Sequence, residues 1–221
     1  MNESFDVPED GMVLADKPAG ITSFGVVARV RRRLSEKLGK KAKVGHTGTL
    51  DPFATGLMII VTGKECRNAM NYSKLDKEYE AVIRLGQTST TGDPEGELTY
   101  ISDAIPTKKA IEAALEPFRG EITQRPPIFS AIKINGRRAY DLARKGEAVE
   151  IPERQVTVYA LELIDYTYPD VRVRAHVSSG TYIRSLAEDI GKVLETGAYC
   201  AELRRTKVGE WSVADAVAIQ P

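Results

Sequence analysis

GHTGTLDPFATG, residues 45–56, runs without a break into LMIIVT, residues 57–62. The first stretch crowds polar groups between glycines, and the second is a short apolar run of the length of a buried strand. Three glycines and Pro52 permit or impose backbone shapes that ordinary residues resist, so the pair reads as a shaped loop leading into a core strand. Asp51 stands between Leu50 and Pro52, where a carboxylate can be held away from water. The plainer reading is that Asp51 caps the following element through its side-chain oxygen. The residues alone leave both readings open.

Outward from this loop the chain alternates strands and helices irregularly. Met12–Ala15 reads as a short strand, DKPAG at 16–20 as a turn, and Thr22–Leu34 as a helix with Thr22 or Ser23 at its N-cap. In Lys77–Leu85 the alternation puts Lys77, Tyr79, Ala81, Ile83 and Leu85 on one side of a half-buried strand. TGDPEGE at 91–97 is turn chemistry, and Thr107–Leu115 is a helix ended by Pro117. Val156–Ile164 and Val171–Val177 pair across Tyr168, Pro169 and Asp170, and Thr181–Leu194 is a helix with Ile183, Leu186, Ala187, Ile190 and Leu194 on its apolar face. Without repeated βαβ units, the pattern predicts an α+β fold with a largely antiparallel mixed sheet flanked by helices. Residues 125–154 combine prolines with seven basic groups against four acids and little apolar periodicity, which predicts an extended arm.

At 221 residues the chain is long enough to bury most of its apolar surface, and one domain is expected. Thirty-one basic and thirty-one acidic residues cancel, so no net field draws the whole molecule to polyanions. Residues 29–43, RVRRRLSEKLGKKAK, nevertheless carry eight basic groups against one acid, immediately before the glycine-flanked loop. Such a patch places phosphates beside the loop and favours a nucleic-acid partner. Cys66 and Cys200 have no paired spacing and are expected to be reduced, while His46 and His176 cannot by themselves build a zinc site, so no metal is expected. The acidic N-terminus lacks an apolar leader and no segment has the length of a membrane span, which predicts a cytoplasmic protein. TGKE at 62–65 lacks the hydroxyl residue after lysine that a phosphate-cradling P-loop requires.

GHTGTLDPFATGLMIIVTGKECR at 45–67 resembles the nucleophile segment of the TruB family of tRNA pseudouridine synthases. DKPAGITS at 16–23, KEYEAVIRLGQTSTTGDPEG at 77–96, RPPIFSAIKINGRRAYDLARKG at 125–146, SSGTYIRSLAEDIG at 178–191 and LRRTKVG at 203–209 resemble further blocks of the family, in its order. The resemblance implies a pseudouridine synthase catalytic fold and isomerisation of uridine in the T-loop of tRNA, at position 55 in standard tRNA numbering. It implies no cofactor, since the reaction needs neither redox change nor external donor. A monomer is the expected state. An RNA-binding or folding factor, which grips tRNA without chemistry, is the competing reading. Bacterial members commonly continue into a small further RNA-binding domain, and the chain is expected to be the catalytic domain without it. The arm at 125–154 corresponds to an element that closes over RNA.

The same resemblance assigns roles residue by residue. Asp51 corresponds to the catalytic aspartate, and Arg184 in GTYIR to the arginine that pairs with it; on helical spacing alone the partner of Arg184 is Glu188. Tyr79 corresponds to the tyrosine that presents an aromatic plane and a hydroxyl to the extruded base, although alternation alone makes it a core residue. Tyr182 and Leu203 correspond to residues packed around uracil. Lys17 and Pro18 look like the structural support of the site. His46 corresponds to the residue that enters RNA where the target base departs. His176, within a predicted strand, is read as structural.

Overall fold

The computed structural model describes residues 6–130, 132–134, 137–138 and 151–220. In chain order the elements begin with β1 (Gly11–Lys17), α1 (Ser23–Leu38), β2 (Val44–His46), β3 (Thr55–Thr62), α2 (Ala69–Ser73) and β4 (Lys77–Leu85). There follow β5 (Gln87–Ser89), β6 (Leu98–Tyr100), α3 (Lys108–Leu115), β7 (Gly120–Gln124), β8 (Lys133–Ile134) and β9 (Arg137–Arg138). The last are β10 (Arg154–Thr167), β11 (Asp170–Val177), α4 (Ile183–Val193), β12 (Ala198–Val208), β13 (Trp211–Ser212) and β14 (Val217–Ala218). A large mixed sheet with a few helices makes the fold α+β. Two compact units are distinguished, Met1–Tyr79 with Arg204–Pro221, and Glu80–Leu203. No helix among the described residues is long and apolar enough to cross a membrane.

In the first unit, β3 is the strand around which everything else is arranged. It is buried from Gly56 to Thr62, which explains its unbroken apolar run, because a strand covered on both faces has no solvent side to mark with polar residues. β1 pairs antiparallel along its whole length, from Gly11↔Thr62 to Lys17↔Gly56. β2 and β12 divide the other edge. β2 pairs antiparallel with the Ile60–Thr62 end, and β12 pairs parallel at the Thr55–Gly56 end. Residues 47–54 therefore leave one end of β3's edge and return at the other. α1 buries Val26, Val27, Val30 and Leu34. Thr22 is its N-cap, accepting from the Gly25 amide at 3.0 Å. The helix runs one turn past the expected Leu34, because SEKL holds good helix formers up to Gly39, which takes the left-handed cap at φ 65°. Asp16 and Lys17, expected in a turn, close β1 instead.

The second unit is built on the β10–β11 hairpin, with β7 added antiparallel to β10. β10 is longer at both ends than its apolar core suggests, and two register shifts bend it. α4 starts at Ile183, with Tyr182 at its N-cap, and buries Ile183, Leu186, Ala187 and Ile190. α3 is capped by Thr107, which accepts from the Ala110 amide at 3.2 Å, and Pro117 lies in the short 3-10 turn that follows. The expected arm at 125–154 falls partly outside the described residues. Within them, β8 and β9 form a two-stranded ribbon, and Arg154 already belongs to β10.

Candidate active site

The Gly45–Gly56 loop is held by side chains from three separate elements of the first unit. Ser23, one residue inside α1, is buried and uses its hydroxyl twice on the same residue. It donates to the Leu50 carbonyl and accepts from the Leu50 amide, both at 2.8 Å. With Thr22 serving as the cap, Ser23 is left for this task. Lys17, fully buried at the end of β1, donates from Nζ to the carbonyls of Pro52 at 3.1 Å and Pro18 at 2.9 Å. The Gly20 amide donates to the same Pro52 carbonyl at 2.9 Å. Asp51 therefore lies between two anchored neighbours, and its own carbonyl closes a turn with the Ala54 amide at 3.1 Å. It is partly exposed, while Leu50 before it is buried.

Arg205 of β12 grips the other half of the loop. The residue is 2 % exposed, and its guanidinium donates from Nε to Leu57 O at 2.7 Å, from Nη2 to Gly48 O at 3.2 Å and from Nη1 to Thr49 O at 3.5 Å. Hydrogen bonds from a charged donor contribute about 1.5–3 kcal/mol each when well aligned, the longest of the three least. Next to it, Arg204 makes a bidentate pair with Asp16 at 2.7 and 3.1 Å. Gly56 is obligatory in this arrangement. It stands at φ 105°, and a Cβ there would lie 2.3 Å from the Arg205 carbonyl oxygen.

His46 ends β2, just before the loop. Burial, and then the positive charge of Arg205, lower its imidazole from the ordinary value and favour the neutral ring, while a backbone hydrogen bond at Gly48 opposes them. Its Nδ1 is buried and without a hydrogen-bond partner. Tyr79 lies on β4 and is buried, on the face its alternation indicated. Two residues earlier, Lys77 donates to the carbonyls of Ser73 at 2.6 Å and of Leu75. Burial, helped by the Arg205 charge, brings its ammonium down to about 8.

In the second unit, Arg184 sits in the first turn of α4 with its side chain only 4 % exposed. Nη1 donates to Asp93 Oδ2 at 2.8 Å and to Thr91 O at 2.9 Å, and Nη2 donates to Phe129 O at 2.8 Å. Asp93 is equally buried, and its other oxygen accepts from Thr91 Oγ1 at 2.6 Å and from the Glu95 amide at 3.0 Å. This buried pair fixes the guanidinium through Nη1 and Nη2, while the buried Nε has no hydrogen-bond partner. Glu188, the partner that helical spacing offers, is instead pushed toward its neutral form, chiefly by burial. Tyr182 is pinned through its backbone, its amide donating to Gln124 Oε1 at 2.8 Å and its carbonyl accepting from Gln124 Nε2 at 3.0 Å. The Arg154 guanidinium lies over its ring, 4.9 Å from the centroid. Leu203 is buried on β12. His176 is exposed on β11, its ring centroid 4.9 Å from that of Tyr159.

The first unit thus carries Asp51, His46, Tyr79, Lys17 and Pro18, and the second carries Arg184, Tyr182 and Leu203. Sequence reading did not single out Ser23 as a loop anchor, nor Asp93 or Arg205. A short serine beside a threonine cap, an aspartate in a turn motif and one arginine of an alternating strand have no local signature of burial.

The same architecture occurs in solved protein and RNA-bound assemblies. The chain superposes with TM-score 0.71 and 30 % identity on a crystal structure of a Cbf5-Nop10-Gar1 complex, covering 96 % of this chain and 53 % of that one. It superposes with TM-score 0.67 and 26 % identity on the structure of an H/ACA RNP bound to a substrate RNA containing 2'-deoxyuridine, covering 98 % of this chain and 58 % of that one. The chain therefore spans little more than half the length of these structural relatives.

Residues 32–183 match the N-terminal domain model of the TruB family pseudouridylate synthases, and residues 184–221 match the C-terminal domain model of tRNA pseudouridylate synthase B. The tRNA pseudouridine synthase B of Phocaeicola vulgatus is 46 % identical over 216 residues, 96 % of this chain and 92 % of its own length. That of Aquifex aeolicus is 46 % identical over 213 residues, 96 % of this chain and 72 % of its own length. The chain belongs to the TruB family of pseudouridylate synthases.

Proposed function

We propose that this protein is an isomerase that converts uridine to pseudouridine in tRNA, acting at position 55 in the T-loop. The observation that carries the reading is the Asp51 loop itself, anchored at Leu50 by Ser23 and at Pro52 by Lys17 and Gly20. A loop gripped on both sides of one acidic residue holds that carboxylate at a set position, which is what a reacting group requires. The family assignment supplies the reaction. The bond from the ribose C1' to uracil N1 breaks, the base turns, a bond from C1' to C5 forms, the C5 proton leaves and N1 gains one. No electron acceptor or donor is consumed.

Asp51 serves as the ionised carboxylate, either attacking C1' or removing a neighbouring sugar proton. Arg184, held in place by Asp93, is the positive group assigned to it. Tyr79 presents its ring to the base and its hydroxyl to the C5 proton, and Tyr182 and Leu203 pack around uracil. Extruding the nucleotide costs a few kcal/mol, and His46 fills the space it leaves. A neutral imidazole suits that role, since it enters a base stack without desolvating a charge. Lys17 and Pro18 support the loop. A monomer in the cytoplasm, where tRNA is at hand, is part of the same reading.

Incubating the protein with an unmodified tRNA transcript, without added cofactor, and mapping pseudouridine by chemical labelling and primer extension tests this. The expected result is one modified uridine, in the T-loop, with none from Asp51→Asn, which keeps the side chain's shape but cannot ionise. Substantial turnover by Asp51→Asn removes Asp51 from its role, and tight binding without product identifies an RNA-folding factor instead.

A further inference from the structure

We propose that Arg205 is a positioning residue of the reaction, one that sets the backbone carrying His46 and Asp51 and so governs the rate of the step after RNA has bound. This rests on the uridine isomerisation proposed above. Three carbonyls converge on one guanidinium, those of Gly48 and Thr49 in the loop and that of Leu57 in β3. Leu57 O is the rigid member, since β3 is a buried strand paired with β1 from Gly56 to Thr62. Gly48 and Thr49 have no such support, and they lie midway between His46 and Asp51 in sequence. Arg205 therefore ties the middle of the reactive loop to the sheet, while Ser23 and Lys17 tie its far end.

The approach is tight at Gly56 and in ordinary contact at Gly48. A side chain at Gly56 would strike the Arg205 backbone, and one at Gly48 would lie 3.4 Å from its Nη1. The same guanidinium charge is felt by His46, whose imidazole it helps to keep neutral. Arg205 is 2 % exposed and its donors are turned to protein carbonyls, so it takes no part in gripping phosphates. Its removal is expected to act on turnover rather than affinity. Misplacing a reacting group by about 1 Å costs on the order of 10²-fold in rate.

Arg205→Lys and Arg205→Gln are measured under single-turnover conditions with enzyme in excess over tRNA, where a misfolded fraction lowers concentration without changing the rate constant at saturation. Both variants are expected to lose about 10- to 100-fold in that rate constant, with the tRNA Kd changed by less than threefold. Lysine fails with glutamine because an ammonium cannot span three carbonyls in fixed directions. Arg204→Gln, one residue along the same strand, removes an equal charge and is expected to leave the rate within twofold. Should the glutamine variant not fold, the lysine variant decides.

NMR gives a readout that needs no turnover. The chain has two histidines, and in Arg205→Lys the His46 imidazole signals are expected to shift or broaden while those of His176 stay in place. Rates within twofold of wild type overturn the proposal, as does a loss of affinity as large as the loss of rate. A wild-type protein that makes no pseudouridine, yet shows the selective His46 change, overturns the functional reading and leaves the clamp standing. An unchanged His46 signal removes the clamp itself.

Discussion

His46 shows how a single residue couples position to protonation. An unfolded imidazole takes up its proton near pH 6.5, and the folded one does so only at lower pH, because burial and the Arg205 charge both oppose the cation. Between those two values the unfolded chain binds more protons, so acidification through that range favours unfolding, and above pH 6.5 the penalty is absent. Urea unfolding at pH 7.5 and 5.5 is expected to show wild type losing more stability than His46→Gln over that interval; equal losses place the titration elsewhere. The setting of Asp51 between Leu50 and Pro52 left two readings open, a held carboxylate or a cap, and the reactive one came from the family resemblance. Its anchors were not legible, because Ser23 and Leu50 are 27 positions apart and Arg205 and Gly48 are 157 apart. The same holds for Arg184, whose buried carboxylate partner, Asp93, is 91 positions away in a stretch that reads only as a turn.

At the scale of elements, hydrophobic period identified what it could. Lys77–Leu85 is the strand its alternation indicated, and β3 follows from its apolar run. β12 escaped notice because one of its inward positions is Arg205, and a buried arginine breaks the apolar rhythm on which a strand is recognised. Its parallel pairing with β3 depends on Gly56, which brings the two backbones closer than a Cβ allows. Gly56→Ala combines a disfavoured φ with a backbone clash, and its expected cost is about 2–5 kcal/mol. A urea titration checks this, with the midpoint lowered and the slope unchanged. A cost below 1 kcal/mol shows that β12 shifts without penalty and weakens the case for a rigid loop.

At the scale of the whole molecule, charge is balanced in total and concentrated in place. Of the eight basic groups in residues 29–43, Arg31 donates to Val44 O and Arg29 to Gly25 O, while Lys37 pairs with Asp6 and Lys40 with Glu9. Arg32, Lys41 and Lys43 are exposed, and on the reading that this stretch meets phosphates they are the residues free to do so by exposure. Neutralising all three to glutamine is expected to weaken tRNA binding irrespective of sequence. The slope of log K against log salt should fall by about 0.7–0.9 for each phosphate that the variant no longer neutralises, measured between 50 and 200 mM salt. An unchanged slope moves the RNA path off residues 29–43. The amino-acid sequence by itself determined the fold class, the family and the glycine-flanked loop, because hydrophobic period, glycine spacing and ordered motifs are local properties that a chain carries before it folds. Only the tertiary structure decided which groups hold that loop and which carboxylate is buried against Arg184. Those interactions join residues distant in the chain, and the burial that makes a charge or a hydroxyl consequential exists only once the chain has closed around it.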